Sequence, residues 1–156
     1  MHGRNLLIRA AVLGDADALL GMMVDFNAIE GIAFDPARTR PALARLLGEP
    51  ALGRVLLAAQ GARTVGYAVL TWGFDLEFDG RDAFLTEIYL LPEARGRGLG
   101  GELLAEVEVA ARTAGARAVH LMVRPENTAG VALYRRAGYE SPGRLLLSKR
   151  LAGQDR

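Results

Sequence analysis

Hydrophobic residues recur with two different periods along this chain, and the two periods alternate. Several segments carry an apolar stripe at helical spacing, each bounded by a capping residue, a proline or a glycine, which predicts amphipathic helices. These segments are Asp15–Ile29, Thr39–Leu47, Leu99–Thr113 and Asn127–Ala137. Shorter apolar or alternating runs predict strands, and they are Asn5–Arg9, Arg54–Ala59, Thr64–Trp72, Ala83–Leu91, Ala118–Val123 and Arg144–Lys149.

A strong turn signal joins two of the predicted strands. Apolar and polar residues alternate from Trp72 to Phe78, which predicts a half-buried strand, and Asp79-Gly80 follows directly. This dipeptide favours a two-residue hairpin turn. Counting back from such a turn pairs Trp72 with Glu87, so we expect the Glu87 carboxylate on the apolar strand face that carries Trp72.

The order of the elements predicts a single α/β domain over residues 1–156. An antiparallel meander comes first, and a strand–helix–strand crossover follows near the end of the chain. This order predicts a three-layer α/β/α arrangement around a mixed sheet of six to seven strands. The length of 156 residues suits one domain, and the chain contains neither an internal repeat nor a low-complexity linker.

Composition narrows the classes of function. Hydrophobic residues make up 51% and charged residues 24%, and the formal net charge is +1, so no general basic field points to nucleic acid or a membrane as partner. Cysteine is absent, which excludes disulfides and thiolate sites, and two histidines are too few for a multi-histidine metal centre. His120 is expected to be a satisfied core residue. Without a leader or an apolar span, the expected compartment is the cytoplasm.

The segment Arg95–Gly101, RGRGLGG, lies where a predicted strand ends and a predicted helix begins. Its glycines allow backbone N–H groups to converge on an anion, and a helix N-terminus adds the positive end of its dipole. Arg95 and Arg97 add formal charge. The segment therefore indicates a phosphate or pyrophosphate site, and the alternative is a glycine-rich turn with solvent-facing arginines.

Two other phosphate-binding motifs have a glycine spacing that also occurs in this segment, but the rest of each motif does not match. A P-loop needs Lys and then Ser or Thr after its last glycine, where this chain has Glu102-Leu103. The dinucleotide-binding motif starts its helix directly from a strand and needs an acidic residue about 20 positions later. Here Leu91–Ala94 intervene, and Val119–Leu121 contains no carboxylate.

Two blocks together resemble a known family. Arg95-x-x-Gly98-x-Gly100 resembles the coenzyme A pyrophosphate loop of the GNAT superfamily of acyl-CoA-dependent N-acetyltransferases. The block from Asn127 to Tyr139, with Leu-Tyr near the helix end and Gly-Tyr after it, is similar to a later motif of that family. The resemblance covers Ala83–Tyr139 well and the N-terminal half in outline. It implies a GNAT-like acyl-CoA acyltransferase fold, with acetyl-CoA as cofactor.

The resemblance also implies a set of cofactor-binding residues. Coenzyme A would lie where the strands Ala83–Leu91 and Ala118–Val123 splay apart, with its pantetheine arm paired to backbone groups of the first. The expected cofactor-binding residues are Ile88, Leu90, Leu91, Arg95, Gly96, Arg97, Gly98, Leu99, Gly100, Gly101, Asn127 and Tyr134. A backbone N–H near Leu90 or Leu91 would stabilise the oxyanion.

Two catalytic residues are expected. An amine with a pKa of about 10 must lose a proton before it can attack a thioester. Glu87 is the candidate base, and the alternatives are a structural glutamate or a water relay to the backbone. Tyr134 matches the family tyrosine that gives a proton to the leaving thiolate, and its alternative is a packed core aromatic. Because cysteine is absent, transfer would be direct, without an acyl-cysteine intermediate.

The acceptor is expected to be a primary amine on a small, cationic molecule. Asp25, Glu30 and Asp35 fall in the first predicted helix and the loop after it, where the resemblance places the acceptor site. Two alternatives remain: a non-catalytic acyl-CoA-binding module, and a protein N-acetyltransferase. A homodimer is compatible with the resemblance. Neither a nucleic acid nor a membrane is expected as partner.

Overall fold

A five-stranded mixed sheet forms the centre of the computed structural model, which describes residues 6–151. The strands lie side by side in chain order: β1 Leu6–Ala10, β2 Gly53–Gln60, β3 Arg63–Asp75, β4 Gly80–Leu90 and β5 Val119–Leu121. The first four pair antiparallel, and β4 pairs with β5 in parallel. The helices are α1 Ala16–Glu30, α2 Pro36–Gly48, α3 Leu99–Thr113 and α4 Thr128–Arg136. The chain divides after Val123 into two compact units, and α4 belongs to the second.

Both faces of the sheet are covered by helices, as predicted. On one face, Tyr67, Val69 and Tyr89 form a core cluster with residues of α1 and α2. Side chains alternate along a strand, so Ala68 and Leu70 point to the other face, and both are buried as well. There α3 packs against β3 and β4 and buries its own apolar stripe. The three-layer α/β/α class is therefore confirmed.

The predicted number of strands is too high. Within residues 6–151 the sheet has five strands instead of six to seven, and β5 is limited to Val119–Leu121. Arg144–Lys149, predicted as the last strand, has no regular secondary structure. A strand is stabilised by hydrogen bonds to a neighbouring strand, and a local run of leucines does not supply that neighbour. The predicted start of β1 at Asn5 lies outside the described residues.

The first two helices are confirmed with changes at their starts. Asp15 precedes α1, but its carboxylate accepts from the Val12 backbone at 2.8 Å and pairs with Arg9 at 2.7 Å instead of capping α1. The α2 helix begins at Pro36 and not at Thr39, because Asp35 caps it through the Ala37 N–H at 3.0 Å. Proline is favourable at a first helical position, so Asp35-Pro36 opens a helix here instead of marking a separate turn.

The β3–β4 turn is longer than predicted. Asp75 pairs with Gly80, a 3₁₀ turn covers Leu76–Phe78, and Asp79 takes a left-handed conformation with φ 54°. Asp79-Gly80 therefore closes a four-residue loop, and Trp72 pairs with Ala83 instead of Glu87. The pairing predicted from a two-residue turn was wrong.

A β-bulge in β4 decides which way Glu87 points. The register shifts between Val69 and Leu70, so that Leu85 pairs with Leu70 while Glu87 pairs with Val69, and Thr86 is the extra residue. An extra residue reverses the inside–outside alternation that follows it. Glu87 therefore lies on the face of α1 and α2. The sequence predicted it on the opposite face, which carries Trp72.

His120 is satisfied, as predicted, but it is not fully buried. Its Nε2 lies 3.1 Å from Asp82 Oδ2, and its side chain is 36% exposed. The rings of Phe78 and Phe84 lie 5.2 Å and 6.3 Å from the imidazole, measured between ring centroids. None of the helices within residues 6–151 combines the length and apolar character needed to cross a bilayer.

Candidate active site

The edge of β4 that faces β5 is only partly paired. Ala83, Phe84 and Leu85 pair with Val119–Leu121, and β4 then runs on to Leu90. Among the residues that the structure describes, no strand pairs with this second half of β4 on that side. The two parallel strands therefore separate after Leu85, which leaves backbone groups that an extended ligand can pair with.

Hydrogen bonding at the end of β4 identifies which backbone groups face the open edge. The Leu91 N–H donates to the Val65 carbonyl of β3 at 2.8 Å. Backbone groups of successive residues alternate between the two neighbours of a strand, so those of Ile88 and Leu90 point away from β3. The Leu90 carbonyl accepts from Arg95 Nε at 2.9 Å, which is consistent with this direction.

The glycine-rich loop follows β4 and leads directly into α3. A 3₁₀ turn at Pro92–Ala94 comes first, and Gly98 occupies the N-cap of α3 without a side-chain cap. Gly96 and Gly98 have φ angles of 70° and 80°, and an added Cβ would meet nothing within 4 Å at either position. Backbone conformation, and not crowding, therefore requires glycine here. The loop leads into a helix start, whose first N–H groups have no partner within the helix and are suited to bind an anion.

The two arginines of the loop occupy different environments. Arg95 folds back onto β4, where its guanidinium carbon lies 5.3 Å from the Tyr89 ring centroid, in addition to the Leu90 hydrogen bond. Arg97 is exposed in the loop. The expectation that both arginines contact a pyrophosphate stays a prediction, and Arg95 has a second, structural role in holding the end of β4.

Glu87 is a half-buried carboxylate with a defined partner. The Tyr67 hydroxyl, which comes from β3, donates to Glu87 Oε1 at 2.8 Å. Burial raises the pKa of Glu87, and the hydrogen bond from Tyr67 opposes part of that rise because it stabilises the charged form. Burial and the nearby Glu87 charge also raise the pKa of Tyr67, so its hydroxyl stays protonated and remains a donor.

Aromatic rings and one further carboxylate surround this pair. The Tyr67 ring lies 6.0 Å from that of Tyr89 and 6.5 Å from that of Phe26, the latter edge-on. Burial and the neighbouring Asp25 carboxylate raise the pKa of Tyr89. Asp25 itself is exposed on α1. An exposed carboxylate, Asp25, therefore lies near Tyr89, and a half-buried carboxylate, Glu87, is bound by Tyr67.

The second unit contains the other two predicted site residues. Asn127 caps α4, since its Oδ1 accepts from the Gly130 N–H at 3.0 Å. Tyr134 lies in the last turn of α4, and its ring meets that of Tyr139 at a centroid distance of 6.1 Å and an angle of 65°. The Tyr139 N–H donates to the Tyr134 carbonyl, which closes the helix end together with Gly138.

Comparison with known proteins identifies the family. The family model of the acetyltransferase (GNAT) family matches residues 21–139, which is most of the chain. This chain belongs to the GNAT acetyltransferase family. The family predicted from the two sequence blocks is thereby confirmed.

Curated relatives of this GNAT chain are named as N-acetyltransferases. Thialysine N-ε-acetyltransferase from Sus scrofa is 29% identical over 143 residues, covering 86% of this chain and 84% of the relative. An uncharacterized N-acetyltransferase from Mycobacterium bovis is 35% identical over 89 residues, covering 57% of this chain and 54% of that protein. The chain is accordingly an enzyme of the N-acetyltransferase class.

Solved structures share the GNAT fold. An integron cassette protein, HFX_CASS3, from the mobile metagenome of Cole Harbour Salt Marsh is 37% identical with a TM-score of 0.83, covering 94% of this chain and 91% of that one. Aminoglycoside N-acetyltransferase AAC(6')-Iy in complex with CoA has a TM-score of 0.81 at 19% identity, covering 95% and 96%. At that identity the second likeness concerns the fold alone.

Within the first unit, the fold brings several predicted GNAT site residues onto one strand and the loop after it. Glu87, Ile88 and Leu90 follow one another along β4, and Arg95–Gly101 continues from its end. Of the expected acceptor carboxylates, Asp25 lies beside Tyr89, whereas Asp35 is used to cap α2. Sequence reasoning missed Tyr67, since only the strand register brings its hydroxyl to Glu87.

Proposed function

We propose that this GNAT chain transfers the acetyl group of acetyl-CoA to a primary amine of a small, cationic molecule by direct attack in a ternary complex. The observation that carries the proposal is the half-buried Glu87 on β4, in the open half of the strand that leads into the glycine loop. The proposed base and the edge that would bind the cofactor thus lie on one strand, and the proposed anion site lies in the loop that follows it.

The open edge and the loop fit the two parts of coenzyme A. Backbone groups of Ile88 would pair with the amide-containing pantetheine arm as an added strand does, whereas the Leu90 carbonyl already accepts from Arg95. The N–H groups at the start of α3, together with Arg97, would hold the pyrophosphate. When bound, acetyl-CoA supplies an activated acetyl thioester. The CoA complex of a solved protein with the same fold supports this assignment.

Glu87 would take the proton that the incoming ammonium must lose. Desolvation of its carboxylate raises its pKa toward the range useful for a general base near neutral pH. A base is effective when its pKa lies near the working pH, because it is then both ionised and sufficiently basic. The Tyr67 hydroxyl, at 2.8 Å, keeps one carboxylate oxygen fixed while the other remains for the substrate.

The Leu90 N–H would stabilise the oxyanion that develops on the acetyl carbonyl. The sequence left Leu90 and Leu91 as candidates for this role. The Leu91 N–H already donates to Val65 at 2.8 Å, so it is not available to a ligand. The Leu90 N–H points to the open edge, where a fixed backbone donor contributes through preorganisation.

Tyr134 and Asn127 are the remaining residues to which we assign a role. Their roles rest on the resemblance of the block from Asn127 to Tyr139 to the family motif. Tyr134 would give its phenolic proton to the departing thiolate. Asn127 uses its side-chain oxygen to cap α4, which leaves its amide N–H₂ as the group that would donate to a pantetheine carbonyl.

The acceptor class rests on charge and on relatives. Asp25 offers an exposed carboxylate beside Tyr89, on the face of the sheet where Glu87 lies. A curated relative that covers most of this chain is named for thialysine, an amine acceptor. We therefore expect a small amine with a second positive charge to be a better acceptor than an uncharged amine.

The decisive experiment measures release of free thiol from acetyl-CoA with a panel of amines. The panel contains thialysine, polyamines, aminoglycosides and an alanine-initiated peptide, and the enzyme contributes no background since it contains no cysteine. We expect turnover with a small cationic amine and a fall of about 10²–10⁴-fold for Glu87→Gln. Binding of acetyl-CoA without turnover on any amine would favour the non-catalytic alternative, and turnover on the peptide alone would favour protein acetylation.

A further inference from the structure

We infer that Tyr67 is a positioning residue for Glu87: its hydroxyl fixes the carboxylate and sets the pH range over which Glu87 acts as a base. The inference rests on the proposed function, since it assumes that Glu87 takes the proton from the acceptor. It concerns a residue of β3 that lies in neither sequence block resembling the family.

The geometry of Tyr67 suits a fixed donor. Its residue surface is 0% exposed, and its ring is wedged between Tyr89 at 6.0 Å and Phe26 at 6.5 Å. Contacts on two sides restrict the ring, and its hydroxyl lies 2.8 Å from Glu87 Oε1. Among the described residues, the Tyr67 hydroxyl is the side-chain group that donates a hydrogen bond to Glu87.

The β4 bulge is what creates this contact. Tyr67 pairs with Tyr89, and Glu87 pairs with Val69, so Tyr67 and Glu87 are diagonal neighbours on one face of the sheet. Diagonal side chains on adjacent strands are within reach of a long aromatic residue. If Thr86 instead paired regularly with Val69, Glu87 would lie opposite Ala68 with its side chain on the other face, and the hydroxyl would have no carboxylate to bind.

The other charged groups near the pair act on Tyr89 and not on Glu87. Asp25 of α1 and Glu93 raise the pKa of Tyr89, whereas Arg95 of the loop lowers it. The direction of the Glu87 pKa is instead set by burial, which raises it, and by Tyr67, which lowers it. Arg40 of α2 forms its ion pair with Asp17 of α1 and not with Glu87.

Removing the Tyr67 hydroxyl therefore has a predictable sign. Tyr67→Phe keeps the ring in its place but withdraws the donor, so the buried carboxylate loses the group that stabilised its charge. The pKa of Glu87 then rises further, and a general base with a higher pKa is ionised only at higher pH. The acidic limb of the kcat/KM profile should move upward by about 1–2 pH units, the usual effect of one hydrogen bond to a buried charge.

Two measurements test this on the intact chain. The first is the pH profile of kcat/KM for the wild type and Tyr67→Phe with the best amine from the panel. The second is titration of the Glu87 carboxyl carbon by NMR, assigned by comparison with Glu87→Gln, which needs neither acetyl-CoA nor an acceptor. Thermal unfolding of each variant verifies that the fold is retained.

Tyr89→Phe is the matched control. It removes the hydroxyl of a neighbouring buried tyrosine on the same sheet face, but that hydroxyl faces Asp25 instead of Glu87. We expect the acidic limb and the Glu87 titration to stay where they are in this variant. A shift equal to that of Tyr67→Phe would attribute the effect to general loss of packing and overturn the inference.

The outcomes separate this inference from the proposed function. Parallel upward shifts of the Glu87 titration and the acidic limb support both. An unchanged Glu87 titration in Tyr67→Phe overturns the role of Tyr67, whatever the activity. A shifted titration with an unmoved acidic limb shows that Tyr67 tunes Glu87 but that Glu87 is not the base, which refutes the catalytic assignment and with it the positioning role.

Discussion

At the scale of single residues, Glu87 shows how the environment assigns a role to a common side chain. Glutamates are frequent in this chain, and two of those in α3, Glu102 and Glu106, lie exposed. Glu87 is different because it is partly buried on a face lined by aromatic rings and has one hydroxyl donor. Burial raises its pKa, so the folded protein binds a proton there more readily than the unfolded chain does.

This difference predicts how Glu87→Gln changes stability with pH. A carboxyl whose folded pKa is raised gives stability that is fully present below its unfolded pKa and is lost as the pH rises through its folded pKa. The wild type loses this stability as the pH rises, whereas Glu87→Gln does not, because glutamine is neutral at every pH. The free energy of unfolding of Glu87→Gln should therefore increase relative to the wild type as the pH rises above about 4.5.

Urea unfolding at a series of pH values measures this effect. Glu106→Gln is the control, because it removes an exposed carboxylate of α3 and should leave the difference from the wild type nearly constant. A Glu87→Gln difference that stays equally flat would show that the Glu87 carboxyl is solvated in the folded protein. It would also remove the electrostatic basis for the proposed base.

At the scale of elements, the close approach of β3 and β4 keeps the site strand in place. Gly66 pairs with Leu90, and a Cβ at Gly66 would lie 2.4 Å from the Tyr89 carbonyl oxygen. That oxygen belongs to the backbone of β4, so it cannot move without moving the strand that leads to the loop. Glycine at position 66 is thus required by the position of β4, and not by the conformation of β3.

Two glycine-to-alanine substitutions should accordingly have opposite effects. Gly66→Ala should destabilise the protein by about 1–3 kcal/mol and lower kcat/KM, because β4 has to shift. Gly21→Ala is the matched control, since Gly21 lies inside α1 and an added Cβ would meet nothing within 4 Å. It should stabilise the protein by roughly 0.5–1 kcal/mol.

Denaturant unfolding and the thiol-release assay together check this pair. Equal stability of Gly66→Ala and the wild type would mean that β3 and β4 can separate at little cost. In that case the direction of the Leu90 backbone would not be held by Gly66, and the proposed oxyanion donor would lose its support.

At the scale of the whole molecule, a near-zero net charge coexists with a proposed local anion site. The formal charge is +1, yet the loop from Arg95 to Arg97 joins two arginines to the start of a helix. Acidic residues elsewhere, including the exposed Asp25, balance them. The overall charge is therefore a poor guide to what this chain binds.

The whole-molecule prediction is thermal stabilisation by acetyl-CoA. A ligand at 100 times its Kd that binds the folded state alone adds about 2.7 kcal/mol, which for a chain of this size corresponds to roughly 5–10 °C in Tm. Gly98→Ala should reduce the shift, because φ at this position is 80° and an alanine there strains the loop. An unchanged Tm with millimolar acetyl-CoA would contradict the assignment of the cofactor.

Features set by neighbouring residues could be predicted from the sequence. The helical spacing of apolar residues after Asp15 predicts α1 to within one residue at each end. The predicted helix Leu99–Thr113 has the same bounds as α3. The glycine loop was located in the same way, because its conformation depends on local φ angles and on the helix that follows it. The two blocks around Arg95 and Asn127 were sufficient to identify the family.

Features set by pairing between distant strands could not be predicted in this way. The sequence placed Glu87 opposite Trp72, but a longer turn and one extra residue at Thr86 bring it opposite Val69 instead. It also predicted a last strand at Arg144–Lys149 that has no paired neighbour among the described residues. Strand register depends on contacts that no short window of sequence contains.

The sequence by itself thus determined the family, the class of enzyme and the loop expected to hold a pyrophosphate, because each depends on residues close together in the chain. The tertiary structure alone decided which face Glu87 occupies, that Tyr67 is its hydrogen-bond partner and that Leu91 is committed to β3. The physical reason is that these contacts join residues of different strands, and a single bulged residue is enough to reverse the direction of every side chain after it.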